Sequence, residues 1–70
     1  MARTVSREHA AVLHRIAEAD ERILMLEERV LALKDSGHPT AESERLLDLM
    51  RRSRERMQQQ ADLLAQGDRT

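Results

Sequence analysis

The stretch Ser36-Gly37-His38-Pro39-Thr40 lies in the middle of the 70-residue chain and holds its only proline and one of its two glycines. Gly37 can adopt the left-handed conformation that closes a helix, whereas Pro39 prevents a helix from continuing. The hydroxyl of Thr40 is suited to cap a helix that begins after it. The chain is therefore predicted to be one domain, residues 1–70, with a turn over 36–40 between two helices.

Before the turn, apolar residues recur at alternating spacings of three and four. This is the heptad pattern of a helix that packs along its length against another helix. The first helix is predicted over residues 4–36. Its seam consists of His9, Val12, Ile16, Ala19, Ile23, Leu26, Val30 and Leu33, with Val5 one step earlier.

After the turn, the same spacing continues with poorer residues. The second helix is predicted over residues 41–66, followed by a frayed tail at 67–70. Antiparallel pairing about the turn places Ile23 near Ser53 and Ala19 near Met57, so that large residues oppose small ones. Gln60 is expected to hydrogen-bond across the seam. The predicted seam is Leu46, Met50, Ser53, Met57, Gln60 and Leu64.

The predicted fold class is all-α, an antiparallel two-helix hairpin that resembles a coiled coil. The chain contains no Cys, Phe, Trp or Tyr, so its core is aliphatic and no disulfide can reinforce it. A hairpin buries only the surface between its helices. An apolar flank that includes Leu13, Leu24 and Leu31 then stays in water and favours association.

We expect a homodimer in which two hairpins form a four-helix bundle. A trimer, a higher assembly and a complex with another protein are the alternatives. The residues expected at the oligomer or partner interface are Val12, Leu13, Ile16, Ala19, Ile23, Leu24, Leu26, Val30, Leu31, Leu33, Leu46, Leu47, Met50, Met57, Ala61 and Leu64.

The charges of the chain are nearly balanced. Twelve Lys and Arg oppose thirteen Asp and Glu, so no net field recruits nucleic acid or a membrane surface. The longest apolar run is residues 23–26, which excludes a membrane span, and the N-terminal residues lack the apolar core of a secretory signal. We expect a cytoplasmic protein.

The second helix carries a local excess of positive charge. Five arginines fall within twelve residues that hold only two acids, Asp48 and Glu55. One interpretation is phosphate contact, because guanidinium groups match phosphate oxygens in pairs. The other interpretation is that the arginines pair with Asp48 and with acids of the first helix. The possible phosphate contacts are Arg45, Arg51, Arg52, Arg54 and Arg56.

No arrangement of residues indicates catalysis. His9 and His14 are five residues apart and point away from each other on a helix, whereas two metal ligands on one face need a spacing of three or four. His14 and Glu18 have that spacing but lack a third ligand. Neighbouring acids such as Glu27 and Glu28 have no apolar pocket to raise a pKa. We expect no enzymatic activity, no cofactor and no metal site.

The segment from Ser36 to Met50 resembles short, uncharacterised proteobacterial proteins. In these, a long charged helix leads into a Gly-x-x-Thr turn and then to a Leu-Leu pair in a second helix. The resemblance implies a bacterial origin and assigns no activity. In architecture the chain also resembles the plasmid-encoded RNA-binding regulator that is a dimer of helical hairpins. The positions that match the proteobacterial pattern are Gly37, Thr40, Ala41, Leu46 and Leu47.

These observations predict a small, non-enzymatic, self-associating helical hairpin that acts as a protein-interaction or regulatory module. An accessory nucleic-acid-binding regulator that uses the arginines of the second helix is the alternative. A third possibility is that the flank of the first helix receives a helix from another protein.

Overall fold

The computed structural model describes residues 6–67, which form two α-helices, α1 (Arg7–Asp35) and α2 (Ala41–Gly67). Ion pairs join Lys34 to Glu44 near the turn and Asp20 to Arg54 farther away, so the helices run antiparallel. Each ion pair joins residues that lie within one helical turn of the partners predicted by antiparallel pairing about the turn. The prediction of an all-α helical hairpin is confirmed.

Ser6 fixes the start of α1. Its side-chain oxygen accepts a hydrogen bond of 3.0 Å from the backbone N–H of His9, and its own backbone is extended, with φ −62° and ψ 158°. Glu8 in the first turn complements the positive end of the helix dipole. The helix therefore begins later than the predicted residue 4, and residues 4 and 5 lie outside the described residues.

The turn closes α1 with the hydrogen bonds of a Schellman motif. The N–H of His38 donates to the carbonyl of Leu33 at 2.9 Å, and the N–H of Gly37 donates to the carbonyl of Lys34 at 3.0 Å. Gly37 has φ +72°, which a residue with a β-carbon adopts at a cost. The predicted left-handed role of Gly37 is confirmed.

The start of α2 differs in detail from the prediction. The hydroxyl of Thr40 donates to Glu44 Oε2 at 3.2 Å rather than capping a backbone N–H, and the carbonyl of Thr40 accepts from the N–H of Glu44 at 2.8 Å. The other carboxylate oxygen of Glu44 lies 3.0 Å from Lys34 Nζ. At the far end α2 extends to Gly67, one residue beyond the predicted end, and the rest of the predicted tail lies outside the described residues.

Burial confirms the predicted seam of α1. Four residues of the seam are buried and the others that the structure describes are half-buried, because they face α2 along the whole helix. Val5 lies outside the described residues. The buried set is Val12, Ile16, Ile23 and Val30, and the half-buried set is His9, Ala19, Leu26 and Leu33.

The predicted seam of α2 is wrong at three of its six positions. Leu46, Ser53 and Gln60 are exposed and lie outside the seam of the hairpin. In each case the next residue along α2 is less exposed and takes the place in the seam. The observed seam is Leu47, Met50, Arg54, Met57, Ala61 and Leu64.

Packing at Ala61 explains the rotation of α2. Ala61 is only 2% exposed and forms one buried cluster with Val12 and Ile16, against which Met57 and Leu64 pack. A small side chain lets the two helix backbones approach closely, which the longer Gln60 would prevent. The rotation therefore places a small residue of α2 against the β-branched Val12 and Ile16 of α1.

The hairpin has a small core. In the described part of the chain six hydrophobic residues are buried, and no polar or charged side chain is buried. Seven larger hydrophobic side chains are 45% exposed or more. Within residues 6–67, neither helix has an apolar stretch of the length that crossing a membrane requires.

Candidate interaction surfaces

Two of the five arginines proposed for phosphate contact are held by acids of α1. Arg54 donates through Nε to Asp20 Oδ1 at 2.7 Å and through Nη2 to Oδ2 at 3.4 Å, a two-point contact. Arg51 Nη2 donates to Glu27 Oε2 at 3.1 Å. The hydrogen bond and the charge of Asp20 raise the pKa of Arg54 above its usual value. Pairing with acids of the first helix is confirmed for these two residues.

The other three arginines lie on the outer surface of α2. Arg52 Nη2 is 3.0 Å from Asp48 Oδ2, which is the i,i+4 pair that the sequence predicts. Arg45 and Arg56 are exposed and make no ion pair within residues 6–67. The arginine cluster is thus divided between the α1 acids, an acid of α2 and solvent, and in the described part of the chain Arg45 and Arg56 are its members without an ion pair.

Ion pairs between the two helices run along one side of the hairpin. Asp20, Glu27 and Lys34 follow each other at intervals of seven residues along α1, so they lie in one row. Each forms an ion pair with α2, at 2.7, 3.1 and 3.0 Å respectively. A groove of about 470 Å³ near the turn is lined partly by these pairs. We call this side the ion-paired face.

The other side of the hairpin carries an open apolar groove of about 330 Å³. Its floor contains Leu26 and Met50, which are half-buried, and its walls contain Met25 and Leu46, which are 70% and 51% exposed. We call it the apolar groove. The residues that line it are Arg22, Met25, Leu26, Arg29, Leu46 and Met50.

Two cations border the apolar groove. Arg22 and Arg29 are seven residues apart on α1 and therefore lie on the same face of the helix. Both are exposed, and neither forms an ion pair among the residues that the structure describes. Sequence reasoning missed this row, although its spacing beside the α1 seam is visible in the sequence.

A second apolar surface lies on the outside of α1. Leu24 and Leu31 are 57% and 63% exposed, and Leu13 is 45% exposed on the same side. At about 100° per residue, Glu21 and Glu28 stand next to this row. We call Leu24, Leu31, Glu21 and Glu28 the acidic strip. The predicted exposure of the α1 flank is confirmed.

The residues expected at an interface fall into three groups. Residues of the first group are buried between the two helices of the single hairpin. Residues of the second group are half-buried. Only the third group, Leu13, Leu24, Leu31 and Leu46, is broadly exposed. Buried are Val12, Ile16, Ile23, Val30, Leu47 and Ala61, and half-buried are Ala19, Leu26, Leu33, Met50, Met57 and Leu64.

The sequence alone did not show which leucines of α2 are exposed. Leu49 is 60% exposed and Leu63 is 67% exposed, whereas Leu47 is buried. The doubled leucines at 46–47 thus divide between solvent and core, because the helix turns by about 100° from one residue to the next. Only the direction in which α2 faces α1 decides which leucine of the pair is exposed.

The histidines are spread over the hairpin. His14 Nε2 is 3.4 Å from Glu18 Oε1, which is the i,i+4 pair seen in the sequence, and His38 is exposed in the turn. His9 is half-buried at the start of the seam. Within residues 6–67 no three His, Asp or Glu side chains come together in a way that could hold a metal ion.

Comparison of the chain with protein-family models, with curated proteins and with solved structures finds no match. The resemblance to proteobacterial hairpin proteins therefore stays an expectation, and the surfaces described above are the basis for any functional conclusion.

Proposed function

We propose that this chain is a non-enzymatic helical hairpin that associates with further copies of itself and acts as a protein-interaction or regulatory module. The observation that carries the proposal is the imbalance between core and surface. Within residues 6–67 six hydrophobic residues are buried, while Leu13, Leu24, Met25, Leu31, Leu46, Leu49 and Leu63 are at least 45% exposed.

The cost of that exposure favours association. Removing one leucine or methionine side chain from water contributes about 1.5–3 kcal/mol when the side chain becomes fully buried. The exposed side chains also form rows rather than isolated points, since Leu24 and Leu31 share one side of α1 and Leu46 and Met25 border one groove. Contiguous apolar surface of this kind is typical of protein interaction sites.

A homodimer is the smallest assembly that satisfies the proposal. Sedimentation equilibrium over a concentration series, with refractive-index detection because the chain lacks Trp and Tyr, measures the mass. Circular dichroism at the same concentrations measures helicity. We expect a mass of two or more chains that rises with concentration while helicity stays high. A helical chain with the monomer mass at every concentration would contradict self-association.

A control variant separates surface association from loss of fold. Leu24→Gln with Leu46→Gln changes two exposed side chains that lie outside the hairpin core. We expect this variant to keep its helicity and to dissociate at concentrations where the unchanged chain is associated.

We also propose a cytoplasmic location, with which the absence of cysteine is consistent.

The second candidate is an accessory nucleic-acid-binding regulator. The observation that favours it is that Arg45 and Arg56 are exposed and unpaired within the described residues. Phosphate binding predicts that Arg45→Gln with Arg56→Gln weakens salt-dependent binding of a labelled duplex or single strand. Arg51→Gln with Arg52→Gln is the matched control, because it also removes two charges and both arginines are already engaged by acids. No binding at low salt would remove this candidate.

A further inference from the structure

The apolar groove and the acidic strip lie on opposite sides of α1. At about 100° per residue, Leu24 and Leu31 are rotated by roughly 160° from Arg22 and Arg29. The two surfaces therefore cannot meet within one hairpin, and each stays available when the other is occupied.

The two surfaces have opposite charge. Arg22 and Arg29 border the groove and form no ion pair among residues 6–67, and Glu21 and Glu28 border the strip and likewise form none there. Other charges close to the strip, on Asp20, Glu27 and Lys34, are already engaged by ion pairs with α2, and Asp35 adds an acid one helical turn from Leu31. The groove is thus a basic apolar surface and the strip is an acidic apolar surface.

The residues of the two surfaces also repeat along α1 at the same interval. The arginines of the groove are seven residues apart, as are Glu21 and Glu28 and also Leu24 and Leu31. Seven residues of helix correspond to about 10.5 Å. A helix laid along the groove in line with α1 can therefore place one glutamate beside each arginine and one leucine row against Leu46 and Met50.

We propose that the acidic strip of one copy docks into the apolar groove of the next copy, so that hairpins associate head to tail. This inference rests on the proposed function, which requires self-association but does not say which surfaces meet. Opposite charges decide between the possible contacts. A groove-to-groove contact would bring Arg22 and Arg29 of one copy close to the same arginines of the other copy. A strip-to-strip contact would likewise bring Glu21 and Glu28 of the two copies together. Of the three pairings that these two surfaces allow, groove against strip is the one that joins unlike charges.

A head-to-tail contact has a consequence that a two-fold contact lacks. Each added copy uses one groove and one strip and presents another of each, so the assembly grows unless its geometry closes into a ring. The mass is then expected to keep rising with concentration beyond two chains. A groove-to-groove dimer would stop at two.

Charge reversal tests the contact with two variants. The groove variant carries Arg22→Glu and Arg29→Glu, and the strip variant carries Glu21→Arg and Glu28→Arg. Each variant alone presents like charges on both surfaces, so we expect its association constant in sedimentation equilibrium to fall by at least about tenfold. A mixture of the two, and a chain with all four changes, restores unlike charges. Both are expected to associate within about threefold of the unchanged chain.

The matched control is Arg45→Glu with Arg56→Glu. These arginines are exposed on the outside of α2, and the control alters net charge by the same amount as the groove variant. We expect it to leave association unchanged, and circular dichroism should show equal helicity for all variants because none of the changed residues is buried.

The outcomes distinguish this inference from the proposed function. If the unchanged chain is monomeric throughout, both fail. If it associates but the strip variant associates equally well, the head-to-tail contact is wrong and self-association stands. A mixture that fails to restore association would overturn the inference as well.

Discussion

Arg54 and Asp20 form the most closely joined ion pair between the two helices, with Nε and Oδ1 2.7 Å apart and a second contact from Nη2. Arg54 occupies a position in the observed α2 seam, between Met50 and Met57, and is half-buried there. A cation in an otherwise apolar seam is tolerated because its stem packs along the seam while its head reaches the carboxylate. The pair therefore helps to set which side of α2 faces α1.

We expect Arg54→Ala to lower the free energy of unfolding more than Arg52→Ala does. Arg54 joins the two helices through a two-point contact, whereas Arg52 pairs with Asp48 inside α2. Urea unfolding followed by circular dichroism compares the two variants. Arg54→Lys is expected to fall between Arg54→Ala and the unchanged chain, because lysine keeps the charge but not the paired geometry. Equal effects of the Arg54 and Arg52 variants would argue against a role for Arg54 in joining the helices.

The rotation of α2 is tested at two neighbouring residues. Ala61→Leu forces extra volume against Val12 and Ile16 and should destabilise the hairpin by about 1–3 kcal/mol. Gln60→Leu adds a similar side chain at an exposed position and should change stability by no more than about 0.5 kcal/mol. Denaturant titrations measure both. The reverse order would mean that Gln60, and not Ala61, faces α1.

The two glycines respond oppositely to a methyl group. Gly37 has φ +72°, so Gly37→Ala should destabilise the turn by about 1–2 kcal/mol even though no neighbour obstructs the added carbon. Gly67 ends α2 in a helical conformation with open space around it, so Gly67→Ala should be neutral or stabilising by up to about 1 kcal/mol. Thermal unfolding at one protein concentration compares them. A neutral Gly37→Ala would contradict the left-handed turn.

Acid weakens the contact of Glu44 with α1. Its hydrogen bond with Lys34, the hydrogen bond from Thr40 and the charge of Lys34 together hold the pKa of Glu44 below its ordinary value of 4.5. The folded chain thus binds the proton less readily than the unfolded chain. The stabilising contribution is fully present above about pH 4.5 and is lost as the pH falls through the folded-state pKa.

Glu44→Gln isolates this contribution. The variant keeps the shape of the side chain and removes its titration, so the fall in stability of the unchanged chain below pH 4.5 should be less steep in the variant. Chemical unfolding measured between about pH 3 and pH 6 compares the two slopes. Glu42→Gln, which alters an acid of the same turn without a cross-helix partner in the described residues, is the control.

Local sequence signals predicted most of the fold. Pro39 and Gly37 determine the turn, and the regular apolar spacing of α1 leaves one choice for its buried side. The α2 pattern is ambiguous because Met50, Met57 and Leu64 belong to two overlapping seams, one with Gln60 and one with Ala61. Choosing between those seams needs the close packing of Ala61 and the reach of Arg54 to Asp20, which no spacing in the sequence reveals.

The surfaces were only partly predictable for the same reason. Exposure of Leu24 and Leu31 follows from the α1 seam alone, whereas exposure of Leu46 depends on how α2 is rotated. The arginine cluster of α2 is prominent in the sequence, yet Arg51 and Arg54 are engaged across the hairpin. Charge density along a sequence does not show which charges a fold has already matched.

The chain reverses its direction at the Schellman turn around Gly37, and this reversal determines how far apart in sequence two contacting residues are. Contacts across the hairpin join residues ever farther apart in sequence away from the turn, by 24 residues for Glu27–Arg51 and by 34 for Asp20–Arg54. The cluster around Ala61 lies farther still, at the open end. Loop closure cost rises only slowly with length. Contacts near the turn close the shortest loops, so folding can proceed from the turn outward and end with the packing of the Ala61 cluster against Val12 and Ile16.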